Sequence, residues 1–203
     1  SLRARDQDRA AKVAEALAGD EYPRVRAATL EVLANGANWI RAAQVAQGDA
    51  WPLVRAAGAR ALSVRPEARP QLEALLGDRS SRVRVSAIDS LTMLKARESW
   101  PAVEARLQAK DESPDVLSAA VAYVQDLCVT QAQELLTGIV RRSLRPDANE
   151  DATRLGVEAL HALHDLGGPA AADAKALATR PETPPGLAKA YQGFRPSTCE
   201  KAP

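Results

Sequence analysis

Apolar and small residues recur at i, i+3, i+4, i+7 and i+8 in five windows of the chain. The windows are Val25, Ala28, Thr29, Val32, Leu33; Val54, Ala57, Gly58, Ala61, Leu62; Val83, Ser86, Ala87, Ser90, Leu91; Val116, Ala119, Ala120, Tyr123, Val124; and Ala152, Leu155, Gly156, Ala159, Leu160. That spacing is one face of an α-helix, repeated five times. An Asp stands five residues before each window, at 20, 49, 78, 111 and 147, in steps of 29, 29, 33 and 36 residues. Asp20–Leu33, Asp49–Leu62 and Asp78–Leu91 align without a gap; Asp111–Val124 and Asp147–Leu160 are weaker copies.

A second helical pattern precedes the copies, as in Ala10, Val13, Ala14, Leu17, in Ala68, Leu72, Leu75, Leu76 and in Ala132, Leu135, Leu136, Ile139, Val140. Gly19, Gly48 and Gly77 precede the first three Asp residues and predict first helices that end in a left-handed conformation. Pro23, Pro52 and Pro114 predict the first turn of the second helices, where a missing N–H costs nothing. The expected unit is helix, tight turn, helix, over 6–35, 37–64, 66–95, 98–128 and 130–167, with 169–194 as an incomplete sixth unit or cap. A single hairpin cannot bury its apolar face, and stacked neighbours can, so the expected fold is an all-α solenoid of about five to six hairpins in one domain over 1–194. Residues 195–203 read as a flexible C-terminal tail.

Composition fits this picture. Of 203 residues 42 are Ala, and aromatics make only 3%, which disfavours β architectures and suits helices that approach closely. Tyr123 stands where the other copies carry smaller residues, so an altered interface is expected around 111–124. No apolar run reaches the roughly 20 residues a membrane span needs, so a soluble chain is expected. The chain opens on Ser1, which suggests a removed leader or an excised domain; a bacterial cytoplasmic location is slightly favoured over a processed exported form. Cys128, in an apolar helical stretch, reads as a buried inert thiol. A bridge from Cys199 in the tail to the body of the protein is the alternative.

The repeats resemble HEAT repeats of the short bacterial kind. The resemblance rests on Asp-x-x-Pro-x-Val-Arg-Ala-Ala at Asp20–Ala28 and Asp49–Ala57, relaxed at Asp78–Ser86, and covers roughly residues 6–167. It implies a right-handed superhelix with the second helices lining a concave surface. It also implies a charge ladder between adjacent repeats, with Asp20 paired to Arg26, Asp49 to Arg55 and Asp78 to Arg84. Leu117 and Thr153 replace the Arg in the later copies, where the ladder should fail.

Little in the chain suggests chemistry. Glu158, His161, His164 and Asp165 are the nearest approach to a metal signature, but Glu-x-x-His occurs once and there is no third His. The paired His–Glu motifs of HEAT-like di-iron hydroxylases are absent, and no cofactor is expected. Net charge is +1, with 16 basic and 12 acidic residues in 1–100 and 11 and 14 in 101–203, too mild an asymmetry for a nucleic-acid surface. The expected function is therefore a non-catalytic protein-interaction scaffold taking another protein or an extended peptide on the concave face. A nucleic-acid-binding HEAT-like protein, or a lyase- or chaperone-type one, is the alternative. The expected contact residues lie six after each helix anchor (Glu31, Arg60, Asp89, Glu158) or one before it (Arg24, Leu53, Arg82, Asp115), a mixed-charge groove suited to a protein rather than a polyanion.

Overall fold

The computed structural model describes residues 2–181, 183–194 and 199, with side chains over the same range apart from 2–5 and 7. Among the described residues there are twelve α-helices and no strand: α1 (Leu2–Leu17), α2 (Pro23–Asn35), α3 (Trp39–Gly48), α4 (Pro52–Ala61), α5 (Arg69–Leu75), α6 (Ser81–Met93), α7 (Trp100–Leu107), α8 (Pro114–Asp126), α9 (Gln133–Ser143), α10 (Glu150–Leu166), α11 (Gly168–Ala178) and α12 (Pro185–Gln192). Short 3₁₀ turns precede α5, α7 and α9. The chain divides into two compact units, residues 1–103 and 104–203. The tail expected over 195–203 lies, apart from Cys199, outside the described residues.

In the first unit α1 packs on α2, α3 on α4 and α5 on α6, while α2, α4 and α6 pack on one another in that order. In the second unit α9 packs on α10, α11 on α12, and α10 lies between α8 and α12. Pro23, Pro52 and Pro114 begin α2, α4 and α8. The core is aliphatic: Leu30, Leu33, Val54, Leu62, Leu72, Val83, Ile88 and Leu91 are at most 1% exposed in the first unit. Each such side chain contributes about 1.5–3 kcal/mol of burial. Small residues set the distance between hairpin partners. A Cβ on Gly58 would stand 2.8 Å from the Ala46 Cα, and one on Gly156 would overlap the Ser143 side chain.

The left-handed helix ends fall elsewhere than Gly19, Gly48 and Gly77. Among the described residues positive φ occurs at Lys95, Cys128, Gly167 and Gly168. Two of the expected ends close with tight three-residue bonds instead, the Asp20 N–H donating to the Leu17 carbonyl and the Asp78 N–H to that of Leu75. Lys95 and Cys128 end α6 and α8 in the same way. The following N–H groups, of Ala96 and Val129, reach back to the carbonyls of Leu91 and Val124, each at 3.0 Å, and cap the open end of the helix.

Candidate functional site

The Asp at the head of each early copy accounts for the stacking. Its Oδ1 accepts the N–H two residues on, at 2.8 Å in each case: Tyr22 for Asp20, Trp51 for Asp49, Ser80 for Asp78. This turns the chain into the second helix. The outer carboxylate edge then receives the arginine of the preceding repeat. Arg26 donates to both oxygens of Asp49 at 2.6 and 2.9 Å, and Arg55 to both oxygens of Asp78 at 2.7 and 2.8 Å. The expected pairing is thus corrected by one repeat. Toward its own Asp, each arginine donates to the backbone carbonyl: Arg26 to Asp20 at 2.7 Å, Arg55 to Asp49 at 2.8 Å, Arg84 to Asp78 at 2.6 Å. The reason is geometric, because the Asp side chain is turned toward the preceding repeat by its own N–H bond. Burial pushes the Asp49 and Asp78 carboxyls up, but the guanidinium and the turn N–H outweigh it and hold both below the usual carboxylate range.

The motif changes in the second unit. Ser113 N–H is accepted by Glu112 at 2.8 Å, so Glu112 rather than Asp111 holds the turn. In the fifth copy Asn149, not Asp147, caps the helix by accepting the Ala152 N–H at 2.8 Å. In both copies the second helix still begins three residues after the Asp position, at Pro114 and Glu150, so the register is kept and a neighbouring side chain has taken over the turn bond. Glutamine amides tie the helices of neighbouring hairpins here: Gln125 donates to Asp165 at 2.6 Å and Gln133 to Asp173 at 3.0 Å, each across 40 residues.

With the hairpins tied in this way, the solvent side of α2, α4 and α6 carries Glu31, Arg60 and Asp89, all exposed. Arg60 donates to Ser86 Oγ at 3.1 Å, which lays the guanidinium across α6. Burial raises the Asp89 carboxyl above its usual value, opposed by the nearby Arg60. Glu31 and Arg60 share a groove of 440 Å³ with Ala57, Val64 and Met93. Val64 is 52% and Met93 68% exposed, large apolar surface with nothing over it among the described residues. Next to Val64, Arg65 donates to the carbonyls that close α2, Ala34 at 2.5 Å and Gly36 at 2.8 Å.

The other expected residues do not all join it. Leu53 and Arg82 are exposed near the starts of α4 and α6, outside the groove but seven residues before Arg60 and Asp89 and so on the same helix faces. Arg24 lines a different, apolar groove between α1 and α2. In the second unit Asp115 is exposed, with Arg154 of α10 at 3.9 Å. Glu158 is half-buried, and its Oε2 has no partner among the described residues. Val64 and Met93 were not expected at the site. They lie past the ends of the periodic windows, and an unpartnered large apolar residue there was the available signal.

His161 stacks on Phe194 with centroids 4.4 Å apart, and its Nε2 lies 3.7 Å from the buried Asp165. His164 meets the edge of Tyr191 at 5.6 Å. No three His, Cys, Asp or Glu side chains among the described residues come together as a metal site. Cys128 is bridged to Cys199, with Cα atoms 5.5 Å apart, so the expectation of an inert buried thiol is corrected. Among the described residues no helix is long and apolar enough to cross a membrane. No family model matches the chain, and no curated protein matches it either.

Proposed function

We propose that the chain is a HEAT-type α-solenoid acting as a non-catalytic interaction scaffold, which binds a protein segment or extended peptide along the concave side of α2, α4 and α6. The observation that carries this reading is the strip Glu31–Arg60–Asp89, alternating in sign beside exposed Val64 and Met93. Mixed charge next to apolar surface selects an extended polypeptide with complementary charges and one or two apolar anchors. A polyanion would meet a carboxylate at every second position. The inter-repeat Arg–Asp pairs support the HEAT reading, and the Cys128–Cys199 bridge supports residence in an oxidising compartment rather than the cytoplasm.

The test is selection of peptides from a random library on the whole chain, followed by titration calorimetry. Peptides should bind wild type and lose at least about tenfold in affinity to Arg60→Glu combined with Arg82→Glu, with helical content unchanged. Binding unaffected by the reversal would overturn the assignment of the face. Salt-steep binding of random duplex DNA would replace a polypeptide partner with a nucleic acid.

A further inference from the structure

The first hairpin carries a second surface, at the opposite flank of α2 from α4. In α6 the flank toward α4 is Val83, Ser86 and Ser90, all buried, and Ser90 Oγ donates to the Ala59 carbonyl of α4 at 2.9 Å. The same positions in α4 are Val54, Ala57 and Ala61, with Val54 fully buried. In α2 they are Val25, which is half-buried, and Ala28 and Val32, both exposed. Val32 is 40% exposed, Val13 of α1 is 52% exposed, and with Leu17 and Val25 they line an apolar groove of 710 Å³. Val32 stands where α4 and α6 carry the smaller Ala61 and Ser90, so the flank of α2 is the more apolar one.

The ladder is open at the same end. Asp49 and Asp78 each receive a guanidinium on two oxygens from the repeat before. Asp20 is set in the same way, its Oδ1 fixed by the Tyr22 N–H, yet among the described residues no cationic side chain pairs with its carboxylate. An apolar flank built like those that seat a helix, and a carboxylate oriented like those that receive an arginine, lie side by side.

We propose that this end of the α1–α2 hairpin is a docking surface for a helical hairpin of another protein. Its second helix lies parallel to α2, places small residues against Val25, Ala28 and Val32, and delivers an arginine near its start to Asp20. A second copy in head-to-tail order does not supply that group: Arg26 and Arg55 are already engaged, and α12 has no arginine. The charge sign follows from Asp20, and the helical form follows from what covers the same flank on α4 and α6.

The probe is a synthetic hairpin of residues 37–64, which carries Arg55, titrated into the whole chain and followed by methyl NMR. Saturable shifts at Val13, Val25 and Val32 are expected. Asp20→Asn in the chain, or Arg55→Gln in the probe, should weaken binding at least about tenfold, and the two together little further. Because the free hairpin can be too weakly folded to bind, the same segment is also tethered ahead of α1, at an effective concentration of roughly millimolar. Hydrogen-exchange protection of Val25–Val32 should then rise and fall back with Asp20→Asn. Unchanged protection in the tethered protein, or protection insensitive to Asp20→Asn, overturns the proposal. So does concentration-dependent dimerisation of the chain that covers Val13 and Val32, which gives the face to a second copy.

Discussion

Arg55 and Asp78 form an enclosed ion pair, with side chains 5% and 9% exposed. Paired and bidentate, their desolvation is offset; singly, either leaves a buried charge. Asp78→Ala should therefore cost roughly 3–5 kcal/mol in denaturant unfolding. Asp20→Ala, which removes a turn bond but no pair, should cost about 1 kcal/mol or less. The pH dependence follows in sign. Asp49 and Asp78 have depressed folded values, so their stabilisation is complete above the unfolded carboxylate value of about 3.9. It is lost as pH falls through the folded values below that. Asp89 runs the other way: its raised folded value means that ionisation opposes folding as pH rises past about 4. Urea unfolding at pH 7 and pH 3 should show the Asp78→Ala penalty shrinking in acid. At pH 7, Asp89→Asn should be neutral or stabilising. A penalty for Asp78→Ala that is equal at both pH values would contradict the ladder as an electrostatic tie.

The spacing of helices in a hairpin is set at single small residues. Gly58→Ala gains about 1 kcal/mol of helix propensity, but its methyl meets the Ala46 backbone, and separating α3 from α4 should cost a net 1–3 kcal/mol, at roughly that scale. Gly19→Ala, with nothing within 4 Å of the added carbon, should be tolerated; the two thermal midpoints compare them directly. Helices and hairpins were legible in the sequence because the 3.6-residue period, the Pro at three of the second-helix starts and the Asp before each are local signals. The partner of each Arg was not legible, because a pair 23 residues apart depends on where a turn aims its carboxylate. Glu112 and Asn149 were missed because the Asp stays in register while a neighbouring side chain makes the turn bond, which the spacing alone does not reveal. Of the proposed binding face, the Glu31–Arg60–Asp89 column was readable from helix register. Val64 and Met93 lie beyond the periodic windows and were not.

Across the whole molecule the two units are held by different means. The first relies on Arg–Asp pairs, while the second uses Gln–Asp bonds and the Cys128–Cys199 bridge, which closes 71 residues. By chain entropy that closure is worth about 4 kcal/mol. Reduction should lower the unfolding midpoint of the second unit and leave exchange rates in α2–α6 unchanged, and Cys128→Ser should reproduce the effect. The proposed function rests on the first unit, where Glu31, Arg60 and Asp89 are exposed on α2, α4 and α6 beside the Arg–Asp ladder. The most direct measurement is hydrogen exchange on the whole chain with and without a library-selected peptide. The added protection should centre on α2, α4 and α6 and on the turns bearing Val64 and Met93, and it should vanish with Arg60→Glu plus Arg82→Glu. Protection centred on the second unit, or undiminished by the reversal, would contradict the proposed binding face.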